Sequence, residues 1–260
     1  MTAGTILLGV VSIAYLAATV GLQRNLFGSS SSWPFWRRIL WISFAFHTAA
    51  LVLVSVSLGH APITRMDEAI ASFAWLLVLM YLLLGERWKV EMVGTVAAPA
   101  AFAMTAFSAF ALSQQPSASV GSAWIWIHVA SLLLGYAAFC LAAFCAVLYF
   151  LQARMLKKKK LGNAFTVLPP LDTLDRVAYR FILAGFPLMV LGTVTGILLN
   201  NWHWVWNSKF VLVGLTGMIY LGYLHARIAG WQGRRVNMVL LVAFVCVLVS
   251  FLAPDTSHPF

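Results

Sequence analysis

Four imidazoles stand where hydrocarbon would make them costly: His47, His128 and His225 fall within or at the edge of apolar segments, and His258 follows the last of them. An imidazole in lipid needs a partner, which makes each one a functional candidate. The neutral ring offers a lone pair to a metal, and two such rings can hold a porphyrin iron from opposite faces without a covalent link. The expectation is axial ligation of a b-type, non-covalently bound haem by His47, His128, His225 and His258. Neutral imidazole is the ligating form, so acid is expected to weaken the site.

Aromatic residues gather beside His203 and His128. The segment Asn200-Asn201-Trp202-His203-Trp204-Val205-Trp206-Asn207-Ser208-Lys209 carries three tryptophans at alternating positions. In an extended segment Trp202, Trp204 and Trp206 share a side, which makes either a flat shelf for a planar ligand or an interfacial aromatic belt. Trp124 and Trp126 precede His128 in the same way.

The elements that must position these residues follow from composition. The chain has 260 residues, 62% of them hydrophobic and 9% charged, with a mean hydropathy of +0.90. That excludes a soluble domain. Apolar runs long enough to cross about 30 Å of hydrocarbon occupy roughly 5–23, 37–59, 68–85, 91–112, 124–153, 179–199, 209–226 and 236–253. They are too long and too uniformly apolar for barrel strands, so the expected fold is an all-α integral membrane protein, a single bundle of eight transmembrane helices over residues 1–260. The first run has no basic residue before it and Arg24 just after it, the reverse of a secretory signal, and is expected to be retained.

Basic residues set the expected orientation. The loops after the first, third, fifth and seventh runs hold Arg24, Arg37 and Arg38; Arg87 and Lys89; Arg154, Lys157 to Lys160, Arg176 and Arg180; and Arg227, Arg234 and Arg235. Only Arg65 and Lys209 of the 17 lie on the other side. Positive charge marks the cytoplasmic face, which puts the N-terminus and C-terminus both outside, in a bacterial cytoplasmic (inner) membrane. The net charge of +10 is then accounted for by topology and the lipid bilayer's anionic headgroups, and no nucleic acid is expected as partner. On this orientation His60, His128, His203 and His258 all face outward, near the three tryptophans.

Other chemistry is excluded by residue type. Cys140, Cys145 and Cys246 lie inside apolar runs and form no haem-attachment or zinc pattern. No nucleophile–base pair, phosphate loop or paired carboxylate points to a hydrolase or ATPase, so a carrier rather than an enzyme is expected. Two loops are long. Gly28 to Trp36 reads as a flexible connector, and about 155–178 contains Pro169-Pro170 and then Asp172, expected to cap a short surface helix leading into the sixth span.

At this point the residues match a known family. Trp126-Ile127-His128-Val129-Ala130-Ser131, continuing through Gly135-Tyr136-Ala137, resembles the helix that carries the first outer haem-ligand histidine in CcsA-type cytochrome c assembly proteins. Gly59-His60-Ala61-Pro62-Ile63 with Glu68, Gly185-Phe186-Pro187 with Gly192, and Tyr220 to Arg227 are similar to the same family, as is Gly230-Trp231-Gln232-Gly233-Arg234-Arg235. The resemblance runs from about residue 44 to 260, and by size it is nearest the compact eight-span HemX and YpjD-like branch.

The resemblance implies haem handling. A tryptophan-rich outer loop holds the haem edge, here Trp202, Trp204 and Trp206, while two flanking histidines coordinate iron. His128 matches the first of these by position and His258 is the candidate for the second; His225 matches the family's ligand to a haem within the membrane. The family's outer motif, Trp-Gly-x-x-Trp-x-Trp-Asp-x-Lys-Glu, is met by Trp204, Trp206 and Lys209, whereas Asn200, Asn207 and Phe210 replace its leading Trp, its Asp and its Glu. Two carboxylates are thereby lost, which changes the charge and hydrogen bonding of the pocket.

His47 lies about 13 Å in from the Arg38 end of its helix, while His225 is two residues from Arg227. They can share an iron if their helices are tilted or offset, or each can make a structural interhelical hydrogen bond. The expected function is transfer or presentation of haem at the outer face of the membrane in cytochrome c biogenesis, with other cytochrome c assembly or haem-pathway membrane proteins as partners. A regulatory or scaffolding protein without stable haem and a haem-dependent quinol redox protein are the alternatives.

Overall fold

In a computed structural model the description covers residues 3–27, 32–88, 90–111, 123–159, 162, 165, 167–199 and 208–252. Among these residues there is no strand. Eight long helices carry the chain: α1 (Ala3–Phe27), α2 (Trp33–Leu58), α3 (Met66–Arg87), α4 (Gly94–Ala111), α5 (Ala123–Lys157), α6 (Leu171–Leu199), α7 (Ser208–Ile228) and α8 (Arg234–Leu252). A 3-10 turn, Glu91–Val93, leads into α4. All eight long helices are long and apolar enough to cross a membrane, as the hydropathy pattern requires.

The sequence expectation differs from the structure at the start of α6. The surface helix expected at Asp172 and the sixth span are one continuous helix, Leu171–Leu199. Its cap is the carbonyl of Pro170, which accepts from the Thr173 and Leu174 amides at 2.9 and 3.1 Å. Asp172 sits inside the first turn, where a carboxylate favours the positive end of the helix dipole, and pairs with Arg176 one turn on. The charged residues that suggested a separate surface helix are compatible with one rod emerging from the bilayer.

The helices group into two compact units. The first holds α1 to α4. Here α1 packs on α2 and α4, and α3 on α4 and α2. Gly21 has no side chain, which lets the Trp36 ring of α2 lie directly against α1. Hydrogen bonds link the helices near their ends: Gln23 Nε2 donates to the Thr95 carbonyl at 2.8 Å, and Ser108 Oγ to the Asp67 carbonyl at 3.0 Å. In a bilayer such bonds and close van der Waals packing hold helices together, because lipid removes most of the hydrophobic drive.

α3 begins with a carboxylate turned back on its own N-terminus. Fully buried Glu68 accepts at Oε2 from the Thr64 amide at 3.0 Å, the Thr64 hydroxyl at 2.8 Å and the Arg65 amide at 3.3 Å. This is capping-box logic, a side chain satisfying amides that the helix leaves unbonded. The His60 ring lies beside it, Nδ1 at 3.9 Å from Oε2.

The second unit holds α5 to α8, with α5 packed on α6 and α8, and α7 on α6 and α8. Its centre is the α5–α6 contact. A Cβ placed at Gly135 would stand 3.1 Å from the Gly185 carbonyl, and one at Gly185 would stand 2.9 Å from both Ala138 and Phe139. Bare Cα atoms on both helices therefore set how closely the backbones approach.

Candidate functional site

His128 lies in the second turn of α5, half-buried against α6. Its position comes from that same packing. One helix face of α6 carries Gly185, Gly192 and Gly196, spaced by seven and then four residues, so all three point toward α5. The His128 Nδ1 is 2.7 Å from the carbonyl oxygen of Gly192. A carbonyl can only accept, so Nδ1 carries the proton and donates it. Nε2 is then the basic nitrogen of the ring.

This is the arrangement expected of a histidine that binds metal, whose second nitrogen usually donates to a carbonyl or carboxylate that fixes tautomer and ring orientation. The donor chemistry at His128 fits an axial ligand to haem iron. Trp124, one turn earlier on the same helix, is 55% exposed, so its indole is available beside the histidine. Trp202, Trp204, Trp206, His203 and His258 lie outside the described residues.

His225 occupies the last full turn of α7, on its exposed side. The opposite side is fastened by charge. Arg227 donates from Nη1 to Asp175 Oδ2 on α6 at 2.6 Å, and Asn237 on α8 donates from Nδ2 to Asp175 Oδ1 at 2.6 Å. The Arg227 guanidinium also lies over the Tyr179 ring, 4.9 Å from its centroid. The helix ends with the Ala229 amide bonded to the His225 carbonyl at 2.9 Å and the Trp231 amide to that of Ala226 at 2.9 Å, with Gly230 at φ +85°. Glycine accepts that left-handed conformation without strain. Backbone and side-chain ties together fix the rotational setting of the turn that carries His225.

His47, in the first unit, has no exposed surface. Its Nδ1 is 3.3 Å from the Tyr15 hydroxyl of α1, and the two rings meet edge to face at 74°. Nε2 is buried and makes no hydrogen bond of good geometry, although the Ala71 backbone of α3 is a polar neighbour of the ring. Close by, Trp75 donates from Nε1 to the Thr48 hydroxyl at 2.8 Å and stacks on Phe44. His47 thus belongs to an aromatic and polar layer joining α1, α2 and α3. Among the described residues no three His, Cys, Asp or Glu side chains cluster as a metal site.

Tyr15, the Asp175–Arg227 pair and Asn237 were not among the candidates visible in the sequence. A tyrosine and an asparagine within apolar runs were the available signals. Their partners are 32, 52 and 62 residues away along the chain.

Comparison with known proteins gives the family of the chain. The family model described as cytochrome C assembly protein matches residues 64–256. A cytochrome c biogenesis protein CcsA from Synechococcus sp. (strain CC9605) is 27% identical over 277 residues, covering 94% of this chain and 91% of its own length. The protein of the same name from Synechococcus sp. (strain CC9902) is 28% identical over 237 residues, covering 79% and 78%. That of Chlamydomonas reinhardtii is 29% identical over 208 residues, covering 75% of this chain and 58% of its own. The matched region contains His128 and His225 and begins after His47.

Proposed function

Because this chain belongs to the cytochrome c assembly protein family, we propose that it takes part in cytochrome c biogenesis by transferring or presenting haem at the outer face of a bacterial cytoplasmic membrane. The observation that carries the reading is the His128 Nδ1 to Gly192 carbonyl bond at 2.7 Å, which puts the proton on Nδ1 and the ring's basic lone pair on Nε2. Haem is the cargo, bound as b-type and without covalent attachment, and its iron supplies the coordination sites that imidazoles fill.

In this reading the chain's own residues perform three tasks. His128, with His258, holds the cargo on the outer side. Trp202, Trp204 and Trp206 cover its aromatic plane and keep water from it. His225, on the fastened last turn of α7, serves a second position within the membrane. We assign His47 to the interhelical bond with Tyr15, because its ring is fully enclosed. No bond of a substrate is made or broken by these groups, so the protein acts as a carrier.

The test is the visible spectrum of the detergent-purified chain. A Soret band reduced in H128A and lost when H225A is added supports the assignment; one that survives H128A and H225A together sinks it. The replacement of the family's outer Trp, Asp and Glu by Asn200, Asn207 and Phe210 favours a second reading, a regulatory member of the family. That reading predicts a colourless protein that takes up no added hemin.

A further inference from the structure

We propose that Gly196 is the positioning residue for His128: its missing side chain is the seat on which the imidazole lies. This rests on the reading of His128 as a haem ligand. A Cβ placed at Gly196 would stand 2.6 Å from His128 Cε1, 2.9 Å from Nδ1 and 3.6 Å from Nε2. All three of its nearest atoms belong to that one ring.

The neighbouring glycines behave differently. A Cβ at Gly192 would meet Leu132 Cγ at 2.6 Å, and one at Gly185 would meet Ala138 and Phe139, so those two positions set the spacing of α5 and α6. Gly214, on α7, faces open space. Gly196 therefore acts on the ligand side chain, and Gly185 and Gly192 on helix packing.

The seat has two parts, one helical turn apart on α6. The Gly192 carbonyl takes the ring's N–H and fixes its tautomer, while the bare Cα of Gly196 lets the ring lie flat enough to reach that carbonyl. Non-bonded carbons settle at about 3.5–4.0 Å, so a methyl at 196 displaces the ring by on the order of 1 Å. A ligand site tolerates about 0.5 Å, and a 2.7 Å hydrogen bond does not survive such a shift. The ring then loses both its orientation and its tautomer lock.

The experiment uses the full chain in detergent, titrated with hemin, comparing wild type, H128A, G196A and the control G214A. G196A is expected to bind hemin roughly tenfold or more weakly, the cost of losing a group that orients a ligand, with a shift from a low-spin to a high-spin spectrum. Added imidazole restores the low-spin form, and G214A matches wild type. Hemin binding by G196A equal to wild type, where H128A has weakened it, overturns the proposal and leaves the haem-carrier reading standing. Absence of hemin binding in wild type overturns the carrier reading instead.

A fold-level control keeps the test decisive if G196A is poorly folded. In H128A/G196A the methyl occupies the space the ring vacated, so the melting temperature recovers relative to G196A. A double variant as unstable as G196A overturns the proposal.

Discussion

Arg227 and Asp175 form a buried ion pair, Nη1 to Oδ2 at 2.6 Å, between the last turn of α7 and the first turns of α6. Each ion is more than nine-tenths enclosed, and the second carboxylate oxygen is taken by Asn237 of α8. Three helices therefore meet on one carboxylate.

Removing one partner leaves the other charge buried alone. D175N is expected to lower stability by about 3–5 kcal/mol, read as a fall in melting temperature in detergent. Replacing both ions, as in D175L with R227M, is expected to cost less than D175N alone. A double variant as unstable as the single would show that the pair does not hold this end of the unit.

The Tyr15–His47 bond predicts a smaller effect with a specific signature. Y15F removes the hydroxyl at 3.3 Å from Nδ1, and interhelical hydrogen bonds in membranes are worth roughly 0.6–2 kcal/mol. The melting temperature should fall modestly while any Soret band keeps its position and amplitude. A spectral change in Y15F would move His47 back among the ligands.

At the start of α3, Glu68 is expected to act through its acceptor oxygen rather than its charge. E68Q keeps an oxygen for Thr64 and Arg65, and E68A keeps none. E68A should lose about 1–2 kcal/mol, the usual cost of an N-terminal cap, with E68Q close to wild type. Equal losses in both would show that the carboxylate charge, through His60 at 3.9 Å, carries the effect.

Topology gives a prediction independent of haem. An alkaline-phosphatase fusion after Phe260 is expected to be active and one after Lys158 inactive, following the positive-inside bias. The opposite pattern would remove the outer cluster of His128, His258 and the tryptophans.

Eight spans were legible because hydrocarbon imposes length and apolarity on every crossing segment, and α1 to α8 coincide with those runs to within a few residues at most ends. The start of α6 was not, since Asp172, Asp175, Arg176 and Arg180 read as loop polarity. Asp175 is buried because its counter-charge lies 52 residues on, a pairing no local pattern encodes. His128 was legible as a candidate from its place at the start of a span and its family resemblance. Its acceptor was not, because Gly192 contributes a backbone oxygen 64 residues away. The spacing of Gly185, Gly192 and Gly196 was visible in the sequence and marks one helix face, yet which glycine meets a helix and which meets an imidazole emerges only from the packing.

The acceptor for His128 is main chain, so it has no genotype of its own. Every amino acid at position 192 would bring the same oxygen, and substitution can disturb the partnership only by shoving α5 and α6 apart or by crowding the ring. Inheritance can thus retune the tryptophan loop, trading indoles and carboxylates for other groups, while the proton on that imidazole stays where the helix put it.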